Sequence, residues 1–483
     1  MSLEHEDMQD MTPMERHAAT RRRFLAAAAA TVGAGSLAAC AGGGGDSGDE
    51  GGGAVKTGEA SDDNPFGVKK DDPLDVVIFN GGYGDAYAQA DGKQYQKMYP
   101  DAKVKVSSTV NIQPELQPRF VGGNPPDLFD NSGAQSLSNE ALINQGQLSE
   151  LDALYKAKGL DGETIDDIIL PGSKDPGTFS GKLYAMNYVY TVYAIWFSQK
   201  QFDDNGWSAP KTWDDMMSLG EEAKKKDIAL FSWGGQNASN YYQELAMSMA
   251  IKQGGDDVRK KLDGLDEKAF EIPAVVDAVQ AIEDAVKAGY FAKGGAGIKH
   301  TEAQTQWVTG KSVIYPSGSW IENEQRKVTP DGYKMTGAPV PMLGDGAKMP
   351  YEAIHGTAGE PFMVPAKAKN GAGGLEFLRI MLSKEQCTNF SKLTSSPTIV
   401  KGTVPDDAFG STALKSGNEM IDAAGDNTFH LHVFEWYNLG PDSVTQWTEF
   451  LSGRISGKEL REKQQGLLDK VRKDDSIKKF DVV

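Results

Sequence analysis

Lys182 to Gln199 reads "KLYAMNYVYTVYAIWFSQ", eighteen residues rich in aromatic and β-branched side chains with no Pro or Gly inside. Such a composition predicts extended backbone. Taken as one strand it would span about 55 Å, whereas a common strand covers about 17 to 20 Å. A strand that long can serve two bodies, which puts a domain crossing near Asn187 to Tyr190. Two shorter consecutive strands are the rival arrangement.

The flanking sequence gives alternating layers. Upstream, "PLDVVIFNGGYGDAY" predicts a buried strand over 74–79 that ends in a glycine turn. "AKVKVSS" alternates Val104 and Val106 with lysines, and "PDLFDNSG" gives another short strand and loop. Residues 137–158 are broadly helical. Thr212-Trp213-Asp214-Asp215 forms a capping box, and Val275, Val279, Ile282 and Val286 repeat at helical spacing. Further on come the apolar run "SVIYPSGSW", a helix-like "WIENEQRK", strands at "KMTGAPVP" and "EPFMVPA", and a helix over "GGLEFLRIMLSKEQCTNFSKL". Trp447, Leu451 and Ile455 mark one C-terminal helix, and Ser456 to Glu459 caps the next. Strands alternating with helices argue for α/β layers with open sheets. Ligands of such sheets bind beyond the carboxyl ends of the strands, which makes the loops 81–85 and 130–135 candidates.

The N-terminus carries its own signals. Arg21-Arg22-Arg23-Phe24-Leu25 precedes an apolar run to Ala39 that is short and small-sided for a membrane span. The paired arginines resemble a twin-arginine export motif, and Leu37-Ala38-Ala39-Cys40 resembles a bacterial lipobox. Residues 1–39 are therefore expected to be a removed signal peptide, with Cys40 lipidated. Residues 40–63, dominated by Gly, Asp, Ser and Glu, form a flexible tether with a root-mean-square reach of about 25 Å. From Asn64 onward the chain is long enough for two or three cores.

Composition excludes several functions. A net charge of −18 makes nucleic acid a poor partner. Of two cysteines, Cys387 falls in an apolar helical pattern and reads as a buried, inert thiol. Gly310-Lys311-Ser312 lacks the earlier P-loop glycine, because Thr305 stands there. No Gly-x-Ser-x-Gly occurs, and Gly82-Tyr83-Gly84 has no third glycine. His430 and His432 would share one face of a strand, with no neighbouring Cys or His to complete a metal site. With 68 Asp and Glu, no carboxylate pair singles out a glycosidase. No enzyme, cofactor or metal site is implied.

Aromatic residues beside glycines and short polar side chains do stand out in loops: Tyr83, Trp233 in "FSWGGQNASNYY", Trp320 in "SGSWIENE", and Trp436-Tyr437 in "HVFEWYN". Sugar rings pack C–H faces on aromatic planes while their hydroxyls seek Asp, Glu, Asn and Gln, so the mixture suits a neutral saccharide. Trp207, Trp213 and Trp307 read as packing residues.

The ordered set "PPDLFDNSG", "GKLYAMNYVYTVYAIWFSQKQFDDNGWSAPKTWDDM", "GKSVIYPSGSWIENE", "FLRIMLSKEQCTNFSK" and "FLSGRISGKEL" closely resembles the extracellular solute-binding proteins of carbohydrate ABC transporters. "DNPFGVKKDDPLDVVIFNGGYGDAY" looks like the N-acetylglucosamine and diacetylchitobiose-binding lipoproteins of actinobacteria. The resemblance implies a two-lobed periplasmic-binding-protein-like α/β fold, with crossing hinge strands and a ligand cleft between lobes. It places lobe 1 at 64–188 and 338–398, and lobe 2 at 189–337 and 399–483. The family's stacking tryptophans match Trp320 and Trp436. Tyr83, Asp85, Asn131, Ser132, Trp233, Gln236, Asn240, Asn323, His355 and Tyr437 are the further ligand-binding candidates. The implied protein is a monomer on the outer face of the membrane, passing sugar to ABC permease subunits.

Overall fold

The computed structural model describes Val55, residues 58–133 and residues 135–482. The signal segment 1–39, Cys40 and most of the expected tether lie outside the described residues.

The quoted stretch becomes a two-residue strand, β5 (Lys182–Leu183), and then one unbroken strand, β6 (Met186–Ser198). Thirteen residues at about 3.3 Å each reach roughly 40 Å. That length lets β6 serve both ends of a mixed sheet. On one side of it lie β1 (Leu74–Phe79), β2 (Val104–Thr109) and β3 (Leu128–Asp130), all parallel; on the other lie β7 (Ala229–Phe231) and β8 (Ser312–Gly318). β10 (Ile354–Met363) joins the two halves. It pairs antiparallel with β6 from His355↔Tyr193 to Phe362↔Met186, and its far end pairs with β3. The strand order is β2-β1-β3-β10-β6-β8-β7, with β9 (Met335–Ala338) added to β6 and β11 (Thr428–Phe429) to β10. A separate hairpin pairs β4 (Thr178–Phe179) with β5. Partners of β6 change around Tyr193 to Ile195, where β10 gives way to β8 and β9.

Strand alternation explains how one element supports two lobes. The even residues Met186, Tyr188, Tyr190, Val192, Ala194 and Trp196 all enter one apolar cluster, which continues under both halves of the sheet. On the odd face, Ile195 and Phe197 enter the core of the second lobe with Trp213, Phe231 and Trp447. Between the lobes that odd face presents Asn187, Val189, Thr191 and Tyr193 to a cavity. Lys252, wholly buried on the helix Asn240–Gly254, donates to the carbonyls of Val340 (2.5 Å) and Tyr351 (2.7 Å) and so pins the chain returning from β9 to β10.

Local signals behave as expected where they close within a few residues. Thr212 and Asp215 form a reciprocal capping box, as do Ser456 and Glu459. The helix Pro273–Lys287 buries Val275, Val279 and Ile282. Trp213 and Trp307 are core residues, and Trp207 packs against the second-lobe core. Cys387 is buried, its thiol held near the Met381 carbonyl, and burial pushes its pKa up to about 12.

Three expectations need correction. Residues 137–158 hold two short helices, Asn139–Asn144 and Asp152–Lys156, because the backbone between them is recruited by the end of β10: Ser149 N–H donates to Val364 O and Ala366 N–H to Gln147 O. The single helix expected over 373–393 is two helices, Gly371–Met381 and Lys384–Thr394, the second capped by Ser383, whose hydroxyl accepts from Gln386 N–H. His430 and His432 do not share a strand face. β11 ends at Phe429, and the two imidazoles meet edge to face at 4.3 Å.

Candidate functional site

A cavity of about 320 Å³ opens between the lobes, near the lower end of the range for small-molecule sites. Its floor is the odd face of β6 with the β10 residues paired to it: Asn187 opposite Pro361, Val189 opposite Gly359, Thr191 opposite Thr357. A Cβ on Gly359 would meet no atom within 4 Å, so the glycine leaves the floor low at its centre. Tyr83, Tyr193 and Trp320 supply the aromatic walls, and Asn139, Pro176, Glu360 and Glu435 close the rim.

Each wall residue is held by local chemistry. Trp320 follows "SGS" at the end of β8, and a Cβ on Gly318 would overlap its ring, so glycine there lets the indole fold back over the strand. The ring meets Tyr193 edge-on at 5.6 Å. Tyr83 leans on Phe390 at 5.6 Å, and burial together with the Glu360 carboxylate pushes its hydroxyl well above the ordinary range, so it stays a neutral donor.

The polar groups divide into fixed and free. Asn187 is only 4 % exposed, lines the cavity, and its amide nitrogen has no partner in the protein. An unpaired buried amide is costly, and since this nitrogen has almost no accessible surface, a ligand acceptor would meet it only with a movement of the cavity wall. Glu360 sits in left-handed backbone at φ +56 and shares hydrogen bonds with Ser132 and Asp130. Burial first, then the neighbouring Glu360 charge, lifts Asp130 far above the usual carboxyl range. Burial raises Glu360 as well, though less than Asp130, so the pair shares a proton that rests chiefly on Asp130.

A second polar chain reaches the rim from the core. Glu244 Oε2 lies 3.1 Å from His355 Nδ1, His355 Nε2 lies 2.9 Å from His430 Nδ1, and His430 Nε2 lies 3.3 Å from Glu435 Oε2. Burial opposes a charge on His430, but Glu435, Glu244 and Asp263 outweigh it and hold its pKa above the ordinary value. Burial would raise Glu435, and His430 pulls it below its usual value instead. His432, desolvated and facing His430 and Arg259, is pushed down to about 2 and stays neutral. Asp263 fixes this rim by accepting from the backbone N–H groups of both His432 and Val433 at 2.9 Å, at the start of the short helix Val433–Trp436. Burial raises its pKa to about 6.

Of the residues singled out from sequence, Tyr83 and Trp320 line this cavity. His355 stands behind its wall, stacked on Tyr193 at 4.4 Å. Asn323 is not among the lining residues; its amide donates to Gly82 O and joins the β8 side to the β1 loop. Asn131 spends its amide on Leu137 and Asn139, folding the loop that presents Asn139, and Ser132 donates to Asp130. Asp85 begins the helix Ala86–Met98 and accepts from Gln89 (3.3 Å). Trp233 is core, its indole N–H donating to Ala292 O, and Gln236 is exposed with its amide on Gly297 O. Asn240 opens the helix that carries Glu244. Trp436 stacks on His432 at 4.7 Å, and both it and Tyr437 pack against Phe480.

Sequence reasoning passed over Asn187, Thr191, Tyr193, Thr357, Glu360 and Glu435. The first three carry a signal in retrospect: polar residues at alternate positions inside an otherwise apolar strand. The others owe their place to the β10 register and to a turn more than 70 residues farther on.

Comparison with known proteins agrees with this fold. The family described as "Bacterial extracellular solute-binding protein" matches residues 81–386. A relative from Streptomyces coelicolor, "Diacetylchitobiose binding protein NgcE", is 47% identical over 88% of this chain and 90% of its own length. Among solved structures, the apo-form of RafE from Streptococcus pneumoniae aligns with a TM-score of 0.66 at 18% identity, over 83% of this chain and 98% of that one. A "Chitin oligosaccharide binding protein" aligns with a TM-score of 0.62 at 21% identity, over 83% and 99%.

Proposed function

The chain belongs to the bacterial extracellular solute-binding protein family, and from that premise we propose that it captures a neutral amino sugar, N-acetylglucosamine or diacetylchitobiose, and hands it to an ABC importer. The observation that carries this reading is the cavity on β6 and β10, where the unpaired Asn187 amide lies among Tyr83, Tyr193 and Trp320. Aromatic walls suit the C–H faces of a pyranose, and an amide donor with hydroxyl neighbours suits its oxygens. The carboxylates of Glu360 and Glu435 on the rim disfavour an anionic ligand and can accept from sugar hydroxyls. The name of the Streptomyces relative supports the choice of sugar.

Lobe 1 then comprises 64–188 and 338–398, and lobe 2 comprises 189–337 and 399–483. Sugar touching both favours the closed arrangement by its differential affinity, and closure is what the permease subunits recognise. Lipid on Cys40 and the Gly-rich tether keep the capture module beside its transporter, raising the local concentration without any new contact. The protein works as a monomer and leaves its ligand chemically unchanged.

Isothermal titration of the exported chain carrying Cys40→Ser tests this, against N-acetylglucosamine, diacetylchitobiose, cellobiose, xylobiose and maltose, with the recovered sugars checked for cleavage. One-to-one binding of an acetamido sugar recovered intact is expected. Binding only of another disaccharide would discard the ligand; cleavage, or silence across the panel, would discard the capture role.

A further inference from the structure

The C-terminal segment beyond the last helix, Gly457–Lys473, does not simply trail away. It turns at Asp474, whose carboxylate accepts from Ser476 N–H (2.9 Å), and returns across the molecule to Phe480. Phe480 meets aromatic rings from both lobes. Its ring lies 5.1 Å from Trp436 and 5.6 Å from Tyr437, the latter packed on the second-lobe core. It also lies 6.5 Å from Phe179, which packs on the first-lobe cluster around Val77 and Phe129. Two hydrogen bonds fix the position: Phe480 N–H donates to the Tyr437 hydroxyl (3.0 Å), and Lys478 Nζ donates to Ser180 Oγ (2.6 Å).

The residues this strap touches adjoin, along the chain, two residues that line the cavity. These are Pro176 and Glu435. Pro176 lies two residues before the β4 hairpin that carries Phe179 and Ser180, and Glu435 immediately precedes Trp436. The charge of His430 is felt by Asp175 in the same turn, so the two rims approach each other. A saccharide growing past Pro176 and Glu435 would next require an aromatic surface. Trp436 offers one, already stacked on His432 and covered in part by Phe480.

We propose that Phe480 is a chain-length stop: the C-terminal strap occupies the Trp436 surface on which a further sugar unit would stack, and so sets the cavity for a short saccharide. The inference rests on the saccharide reading above. A longer chain can engage Trp436 only by displacing Phe480, with the loss of the contacts to Phe179 and Tyr437. Differential affinity, not total affinity, is the quantity the strap controls.

The test compares titrations of the exported chain carrying Cys40→Ser with diacetylchitobiose and with the corresponding trimer and tetramer. Three forms are used: no further change, Phe480→Ala, and Phe480→Leu, which keeps an apolar cap. The expected result is that Phe480→Ala improves the trimer-to-dimer affinity ratio about tenfold with the dimer affinity held within about twofold, and that Phe480→Leu keeps most of the discrimination. An unchanged ratio in Phe480→Ala, or an equal loss for every length, overturns the stop. If the unsubstituted chain binds no acetamido sugar of any length while binding a different disaccharide, the ligand reading has failed. The same ratio measured on that sugar's longer homologues then decides the strap separately.

Discussion

Asn187 allows a prediction whose two parts have opposite signs. Its side chain is almost wholly buried, and the amide nitrogen meets no acceptor in the protein. An unmet buried donor costs about 1 to 3 kcal/mol, and an apolar group of similar shape does not bear that cost. Asn187→Leu should therefore leave the ligand-free protein as stable as before or more so, with a thermal midpoint that holds or rises. On the proposed reading the same amide pairs with a sugar oxygen in the complex, so the substitution would leave that oxygen desolvated without a donor. The loss of about 1 to 3 kcal/mol corresponds to affinity weaker by about 5-fold to 150-fold. Thermal unfolding without sugar, and calorimetric titration with diacetylchitobiose, read the two parts separately. Asn187→Asp retains the shape but exchanges donor for acceptor, and should lose affinity by at least as much at neutral pH. A midpoint that falls by several degrees while affinity stays unchanged would refute the reasoning, because it would make Asn187 a structural partner of the β10 strand it faces.

Trp320→Ala removes the wall that Gly318 makes room for, and should weaken binding by about tenfold or more; Gly318→Val, which forces the indole aside, should reproduce much of the loss in the same titration. Asp263, raised to about 6 chiefly by burial, favours its protonated form in the folded state. Its contribution is full below about pH 4 and is lost as pH rises through about 6. Asp263→Asn keeps acceptors for His432 and Val433 but does not titrate, so the stability of the unsubstituted chain relative to the variant should decline by up to about 3 kcal/mol between those values. A flat difference in denaturant titrations across that range would contradict the assignment. Cys387, with its thiol pushed up to about 12 and no exposure, should resist a thiol reagent in native Cys40→Ser protein and react once the chain is unfolded.

The sequence by itself determined the elements whose physics is local. The strand over Leu74–Phe79, the capping boxes at Thr212 and Ser456, and the length of the stretch that became β6 rest on side-chain periodicity and on hydrogen bonds closing within three or four residues. The α/β layering followed from strands alternating with helices, while the two-lobed arrangement was what the resemblance to solute-binding proteins implied. The aromatic nature of the site was legible too, in Tyr83 and Trp320. Tertiary structure alone decided the rest. Which face of β6 is open depends on pairing with β10, more than 150 residues away, and that register set Asn187 beside Pro361 and Thr191 beside Thr357. Trp436 looks from sequence like any other loop tryptophan, and only the returning C-terminus shows that Phe480 already shares its ring. Residue type states what a side chain is able to bind. Whether it is still free to do so depends on contacts between segments far apart in the chain, and these leave no periodic trace in the sequence.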